Sequence, residues 1–213
     1  MFASRRSRRT GVATIVAFVA LAAGATSANA GVLVASAPSC EDQALSKTFL
    51  PWLDVADYTG LSGGDFESGA DGWSMTGGAA VADGNESHYV GGADDSKSLS
   101  LSSGASATSP AICVGITHPT VRFFVKRHST GPLSSLATLR VDVLFETATG
   151  HVASLPIGSL PANGYWQPTL PIVVAANLLP LLPGEMTPVA FRFTAQGGDF
   201  SVDDVWVDPY SRK

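Results

Sequence analysis

The chain has 213 residues, with 13 Lys and Arg against 18 Asp and Glu and a formal net charge of −5. An acidic chain with scattered bases is poorly suited to a phosphate backbone, which argues against nucleic acid as a partner. Two cysteines without a histidine at ligand spacing argue against a zinc centre.

The first thirty residues read as an export signal. Arg5, Arg6, Arg8 and Arg9 give a positive start, Gly11 to Ala23 is almost wholly apolar, and Ala28-Asn29-Ala30 offers small residues for cleavage. The alternative is a retained N-terminal anchor. Cleavage would leave nine bases against 18 acids, a net of −9. No later apolar run reaches membrane-spanning length, since Ala175 to Leu182 contains Asn177 and Pro180. A secreted location is expected, with no membrane span after cleavage.

Residues 31–60 form an N-terminal arm. Gly31 to Ser39 is a weakly patterned lead-in that Cys40 tethers. In an exported protein, Cys40 and Cys113 read as a disulfide closing a long loop; the alternative is two free thiols. "KTFLPWLDVADY" (Lys47 to Tyr58) is broken by Pro51 and reads as an extended segment packing Phe49, Trp52 and Tyr58, not as a helix.

Residues 61–209 form one domain with period-two patterning. "SLSLSS" alternates, and "AICVGI" is short and apolar. "TVRFFVKR" sets Val121, Phe123 and Val125 against Arg122, Phe124 and Lys126. "TLRVDVLFE", "PVAFRFTA" and "FSVDDVWVD" repeat the design, separated by Gly, Pro, Asn and Ser clusters. Pro168 and Pro171 place "WQPTLPIVV" at an edge or a bulge. No segment carries a long apolar stripe at helical spacing. The expectation is an all-β antiparallel sandwich of jelly-roll type with eight or nine short strands.

Catalytic signals are weak. Gly60 to Gly64 matches G-x-S-x-G, but that spacing is a nucleophile elbow only between a strand and a helix, and "DFESGADGW" follows. His88, His118, His128 and His151 are dispersed. Asn85-Glu86-Ser87 is a glycosylation sequon and reads as a hairpin turn. Asp203 and Asp204 are adjacent in the last strand and therefore point to opposite faces. The inward one, alongside Val205 and Val207, needs a partner: a cation or an Arg.

Two stretches bracket the domain: "GGDFESGADGWSM" at its start and "GGDFSVDDVWVDP" at its end. Gly64-Asp65-Phe66-Glu67 with Gly72-Trp73, then Val202-Asp203-Asp204-Val205, resemble the opening and closing motifs of galactose-binding-like jelly rolls. The likeness is to carbohydrate-binding modules related to families four, nine and twenty-two. Ser98-Leu99 and Trp166 match further positions. The arm and "ICVG" lie outside that pattern and look like a group of small secreted bacterial proteins. The resemblance implies a structural Ca²⁺ joining first and last strands, with Glu67 and Asp203 as ligands and Asp65 and Asp204 as further candidates. It also implies that Phe66 plugs the core and that Gly72 lets Trp73 cover one end.

Sugar binding needs exposed aromatics and planar polar groups. Tyr89, Trp206 and Arg192 are the expected ligand contacts, drawn from a wider set of Tyr165, Trp166, Arg122 and Arg140. The sequence therefore reads as a secreted non-catalytic domain binding a glycan or cell-wall polymer. A structural or adhesive envelope domain is the alternative, and a stand-alone hydrolase a third reading.

Overall fold

The computed structural model describes residues 33, 37, 43–115, 119–128, 134–147, 149–174 and 186–209. The export signal and Cys40 lie outside the described residues. Two antiparallel sheets pack face to face. In the first, β7 (Thr120–Arg127), β13 (Phe200–Asp208), β4 (Lys97–Leu101) and β3 (Ala80–Asp83) run side by side. Two short pieces, β10 (Gln167–Pro168) and β11 (Ile172–Val173), pair with the free edge of β7, and β1 (Thr59–Gly60) pairs with β13. In the second, the order is β2 (Ser74–Thr76), β5 (Ser106–Thr108), β12 (Thr187–Gln196), β8 (Thr138–Glu146) and β9 (Val152–Leu160). The short β6 (Ile112–Val114) also pairs with β12. The protein is an antiparallel β-sandwich, as the alternation predicts.

The core is what period-two patterning puts inward. Val121, Phe123 and Val125 of β7 meet Leu139, Val141 and Val143 of β8 and Phe191 and Phe193 of β12, all at most 1% exposed. Burying each such side chain is worth roughly 1.5–3 kcal/mol. The strand beside β7 is in two pieces at the sheet edge, with Pro168 ending β10 and Pro171 standing just before β11, where a missing N–H costs least. The sequence reading misses β9, whose Pro156 and Gly158 break the pattern; Pro156 is accommodated at the sheet edge, beside a register shift opposite Val141 and Asp142.

The opening motif works through backbone geometry. Leu61 N–H donates to the Val205 carbonyl, and Val205 N–H donates to the Gly64 carbonyl. A Cβ on Gly64 would stand 2.9 Å from Leu61 O and 3.1 Å from Val205 O, so only glycine lets the chain meet β13 this closely. Phe66, at φ 59°, is fully buried against Trp73 with ring centroids 5.0 Å apart. Gly72 turns at φ 79°, and the Trp73 indole N–H donates to the Ser62 carbonyl at 3.1 Å. No helix follows Ser62, so the elbow geometry is missing. Gly64→Ala should lower unfolding free energy by about 1–3 kcal/mol, because the clash is with backbone that cannot step aside. Urea melts showing less than a few tenths of that loss would contradict the close-approach role.

Two expectations need correction. The arm does contain a helical turn, a 3₁₀ turn at Leu50–Trp52, because Pro51 sits at its start with φ preset for it. The turn ends at Leu53 in the left-handed region, φ 62°. Arg122 and Phe124 do not face solvent. They are 3% and 0% exposed, because the arm lies over the outer face of the first sheet and buries Phe49 and Tyr58 against Phe124. The sequon lies, as read, in the connection of a hairpin: β3 pairs antiparallel with β4 and residues 84–96 join them.

Candidate binding site

The bulge in β13 creates the site. Pairing with β7 slips between Asp203 and Trp206, and Asp204 takes φ 47°. The slip reverses the face assignment that strict alternation gives. Asp203 pairs opposite Phe124 and Trp206 opposite Arg122, so both share the outer face of the first sheet, while Val205 and Val207 enter the core. Asp203 is therefore not inward beside the valines. It is buried, at 0% exposure, beneath the β3–β4 connection.

That connection is held by carboxylates. Glu86 N–H donates to Asp203 Oδ2 at 2.8 Å, and Gly91 N–H donates to Asp204 Oδ2 at 3.3 Å. The Glu86 carboxylate, itself fully buried, accepts the amides of His88 and Val90. Tyr89 between them is pushed to φ 53° and stays 53% exposed. Glu67 plays a similar part on the other flank. Its carboxylate accepts the Ser96 and Lys97 amides at 2.7 and 2.6 Å.

A cleft of about 280 Å³ opens beside the bulge, lined by Gly60, Leu61, Asp65, Gly91, Asp204, Val205 and Trp206. Trp206 is half-buried, its ring lying 3.5 Å from where a Gly60 Cβ would be. Its indole N–H is buried without a hydrogen-bond partner among the described residues. Asp95 Oδ2 and Asp204 Oδ1 both come within 2.7 Å of the point a Gly91 Cβ would occupy, so glycine leaves a cradle between two carboxylates. Among the described residues no Lys or Arg lines the cleft.

Like charges and burial set the electrostatics. Burial, together with Asp204 and Glu86, pushes the Asp203 carboxyl up to about 9, against the amides it accepts. Burial and the charges of Glu86, Asp95 and Asp65 push Asp204 up to about 7. Burial and then Glu67 raise Asp95.

A raised carboxyl binds its proton more tightly folded than unfolded. Its contribution is complete below the ordinary value of 3.8 and is lost as pH rises through about 7 for Asp204 and about 9 for Asp203. Each retained proton gives a slope of about 1.4 kcal/mol per pH unit within its window. In chelator, the melting temperature should fall from pH 5 to pH 9. Asp204→Asn, at a left-handed position that Asn tolerates, should flatten the lower half of that decline. A wild-type melt independent of pH over this range would refute the assignment.

The expected ligand contacts are separated. Trp206 lines the cleft and Tyr89 stands two residues from Gly91. Arg192 lies on the outer face of the second sheet, where it reaches Asp142 at 3.5 Å and Ser154 at 2.9 Å. Arg140 holds the same Asp142, at 2.6 Å. Arg122 is buried beneath the arm, and Trp166 packs against the arm cluster. Tyr165 is exposed and accepts from Asn163. Of the expected metal ligands, Asp65 and Asp204 meet in the cleft, while Glu67 and Asp203 bind backbone amides. Glu86 and Asp95 were missed. Glu86 sat inside the sequon reading, and Asp95 in a loop without pattern.

The chain is similar to the CBM22-1–GH10 modules of the Clostridium thermocellum xylanase 10B, complexed with xylohexaose, at 19% identity and TM-score 0.47; the match covers 69% of this chain and 28% of that one. It is similar to the CBM22-1 xylan-binding domain of Paenibacillus barcinonensis Xyn10C at 14% identity and TM-score 0.45, covering 70% of this chain and 93% of that one. It is also similar to TmCBM61 in complex with β-1,4-galactotriose, at 14% identity and TM-score 0.40, covering 70% and 97%. At these distances the likeness describes the fold and carries no ligand. No family model and no curated protein matches the sequence.

Proposed function

We propose that this is a secreted, non-catalytic domain that binds a neutral glycan or cell-envelope polymer at the cleft beside the β13 bulge. The supporting observation is the cleft itself, lined by Trp206 together with Asp65 and Asp204. A ring beside acceptors suits a sugar, which offers a C–H face and donating hydroxyls. The surrounding acids and the missing base disfavour uronate or phosphate polymers.

A panel of neutral oligosaccharides, xylohexaose and β-1,4-galactotriose among them, with an oligouronate as comparator, tests the reading by calorimetry. Trp206→Phe shrinks the ring that lines the cleft, so binding should weaken about twofold to tenfold, the range for one aromatic contact. Its melting temperature should hold. Binding to none of the neutral glycans would defeat the reading.

A cation suits the same acids. The Gly91 cradle between Asp95 and Asp204 spans a distance one Ca²⁺ can bridge, with Asp65 nearby and Glu67 and Asp203 fixing the frame. Among the described residues no three such side chains converge on one point, so carbonyls or waters would complete the shell. Bound there, Ca²⁺ would supply positive charge between the first and last strands. Asp204→Asn should remove a Ca²⁺-induced rise in melting temperature, whereas Glu67→Gln should remove it only if Glu67 is itself a ligand.

An adhesive role is favoured by one observation. Leu50, Leu53 and Val55 on the arm are 48, 92 and 49% exposed. Concentration-dependent self-association in sedimentation would support it.

A further inference from the structure

We propose that the N-terminal arm supplies part of the ligand surface: Trp52 of the arm and His88 of the β3–β4 connection form an aromatic corner, rimmed by Tyr89, that takes the apolar face of a pyranose. The proposal rests on the glycan-binding reading above and names the subsite next to its cleft.

The Trp52 and His88 rings meet at 84°, with centroids 5.1 Å apart. Trp52 is half-buried, while His88 and Tyr89 are exposed. The corner has a rigid back. Trp52 and His88 both contact Phe124, at 5.5 Å each, and Glu86 accepts the amide of His88. Burial does not explain Tyr89. A bulky residue in the left-handed region is strained, and this one is more than half exposed, so the fold gains little from it. Gly or Asn would serve the turn better. Tyr89 instead presents an exposed ring one residue from His88 and two from Gly91, which lines the cleft.

The chemistry matches one class of ligand. A pyranose presents a C–H face, which aromatic rings cover, and an equatorial rim of hydroxyls. The corner offers rings, and the cleft beyond Gly91 offers the acidic residues Asp65 and Asp204. The acids around Gly91 complement a neutral or amino-bearing sugar and repel an anionic one.

The test uses the purified protein and whichever panel glycan it binds. His88→Ala and Tyr89→Ala should each raise Kd at least fivefold with melting temperatures within a few degrees of wild type. Trp52→Ala should raise Kd more and also lower the melt, since it packs on Phe124; Trp52→Phe should restore most of both. If His88→Ala and Tyr89→Ala fold and bind within twofold of wild type, the corner is wrong while the cleft reading stands. If wild type binds no glycan in the panel, both fall together.

Discussion

Arg122→Met should lower unfolding free energy by about 3–5 kcal/mol, the usual cost of removing one partner from a buried ion pair. The guanidinium is only 4% exposed and donates to Asp54 Oδ2 at 2.6 Å and, through Nε, to the Thr169 carbonyl at 2.8 Å. Its carbon stands 4.0 Å from the centroid of the Phe49 ring. One side chain thus joins β7, the β10–β11 edge and the arm. Arg122→Lys should recover little, because an ammonium reproduces neither the Nε bond nor the flat contact with the ring.

The pair also sets a pH dependence of opposite sign to that of the cleft. Burial raises the Asp54 carboxyl, but hydrogen bonds from Tyr58, Ala56 and Arg122, with the Arg122 charge, outweigh it and hold the group below 3.8. A depressed carboxyl stabilises above its unfolded value and loses that contribution as pH falls through the folded one. The gap between wild type and Arg122→Met should therefore be full at neutral pH and close below about pH 4. A gap that persists undiminished at pH 2 would show that packing, not charge, carries the effect.

If Cys40 and Cys113 are joined, breaking that bond should cost about 4 kcal/mol in the loop-entropy model, for a closed loop of about seventy residues. The pairing is an inference supported by three observations. The sequence has two cysteines, Cys113 is fully buried, and the described residues include no free thiol. Gln43 Nε2 donates to the Cys113 carbonyl at 3.1 Å, which brings the arm to β6 three residues after Cys40. Cys113→Ser should lower the melting temperature by well over ten degrees, and reductant should do the same to wild type. Equal melts with and without reductant would sink the pairing.

If both predictions hold, the arm is an integral layer of the fold. It covers Phe124 and Arg122, which otherwise would be an exposed aromatic and an exposed cation, and its Trp52 reaches the proposed sugar corner. The sequence pointed to the aromatic residues of the arm because Phe49, Trp52 and Tyr58 are too apolar to be left in water. Nothing local says which sheet receives them.

Strand position was legible because its signal is local. Pleating sends alternate residues to opposite faces, so "TVRFFVKR", "TLRVDVLFE" and "FSVDDVWVD" fall on β7, β8 and β13 with the ends that the alternation predicts. In the short glycine-rich opening, the packing of Phe66 and Trp73, the only aromatic residues there, followed from the resemblance and not from alternation. What alternation does not encode is a bulge. One extra residue at Asp204 puts Asp203 on the same outer face as Trp206, where strict alternation back from Val205 and Val207 turns it inward. Nor can the sequence bring Glu86 to Asp203 across 117 positions, or set Asp95 against Asp204 around a missing side chain at Gly91. Those meetings are decided by which loop covers the bulge, and loop closure depends on the packed sheets beneath it. The strands and their core follow from neighbours in the chain; the cleft, its acids and the aromatic corner exist only where distant segments fold over one irregular strand.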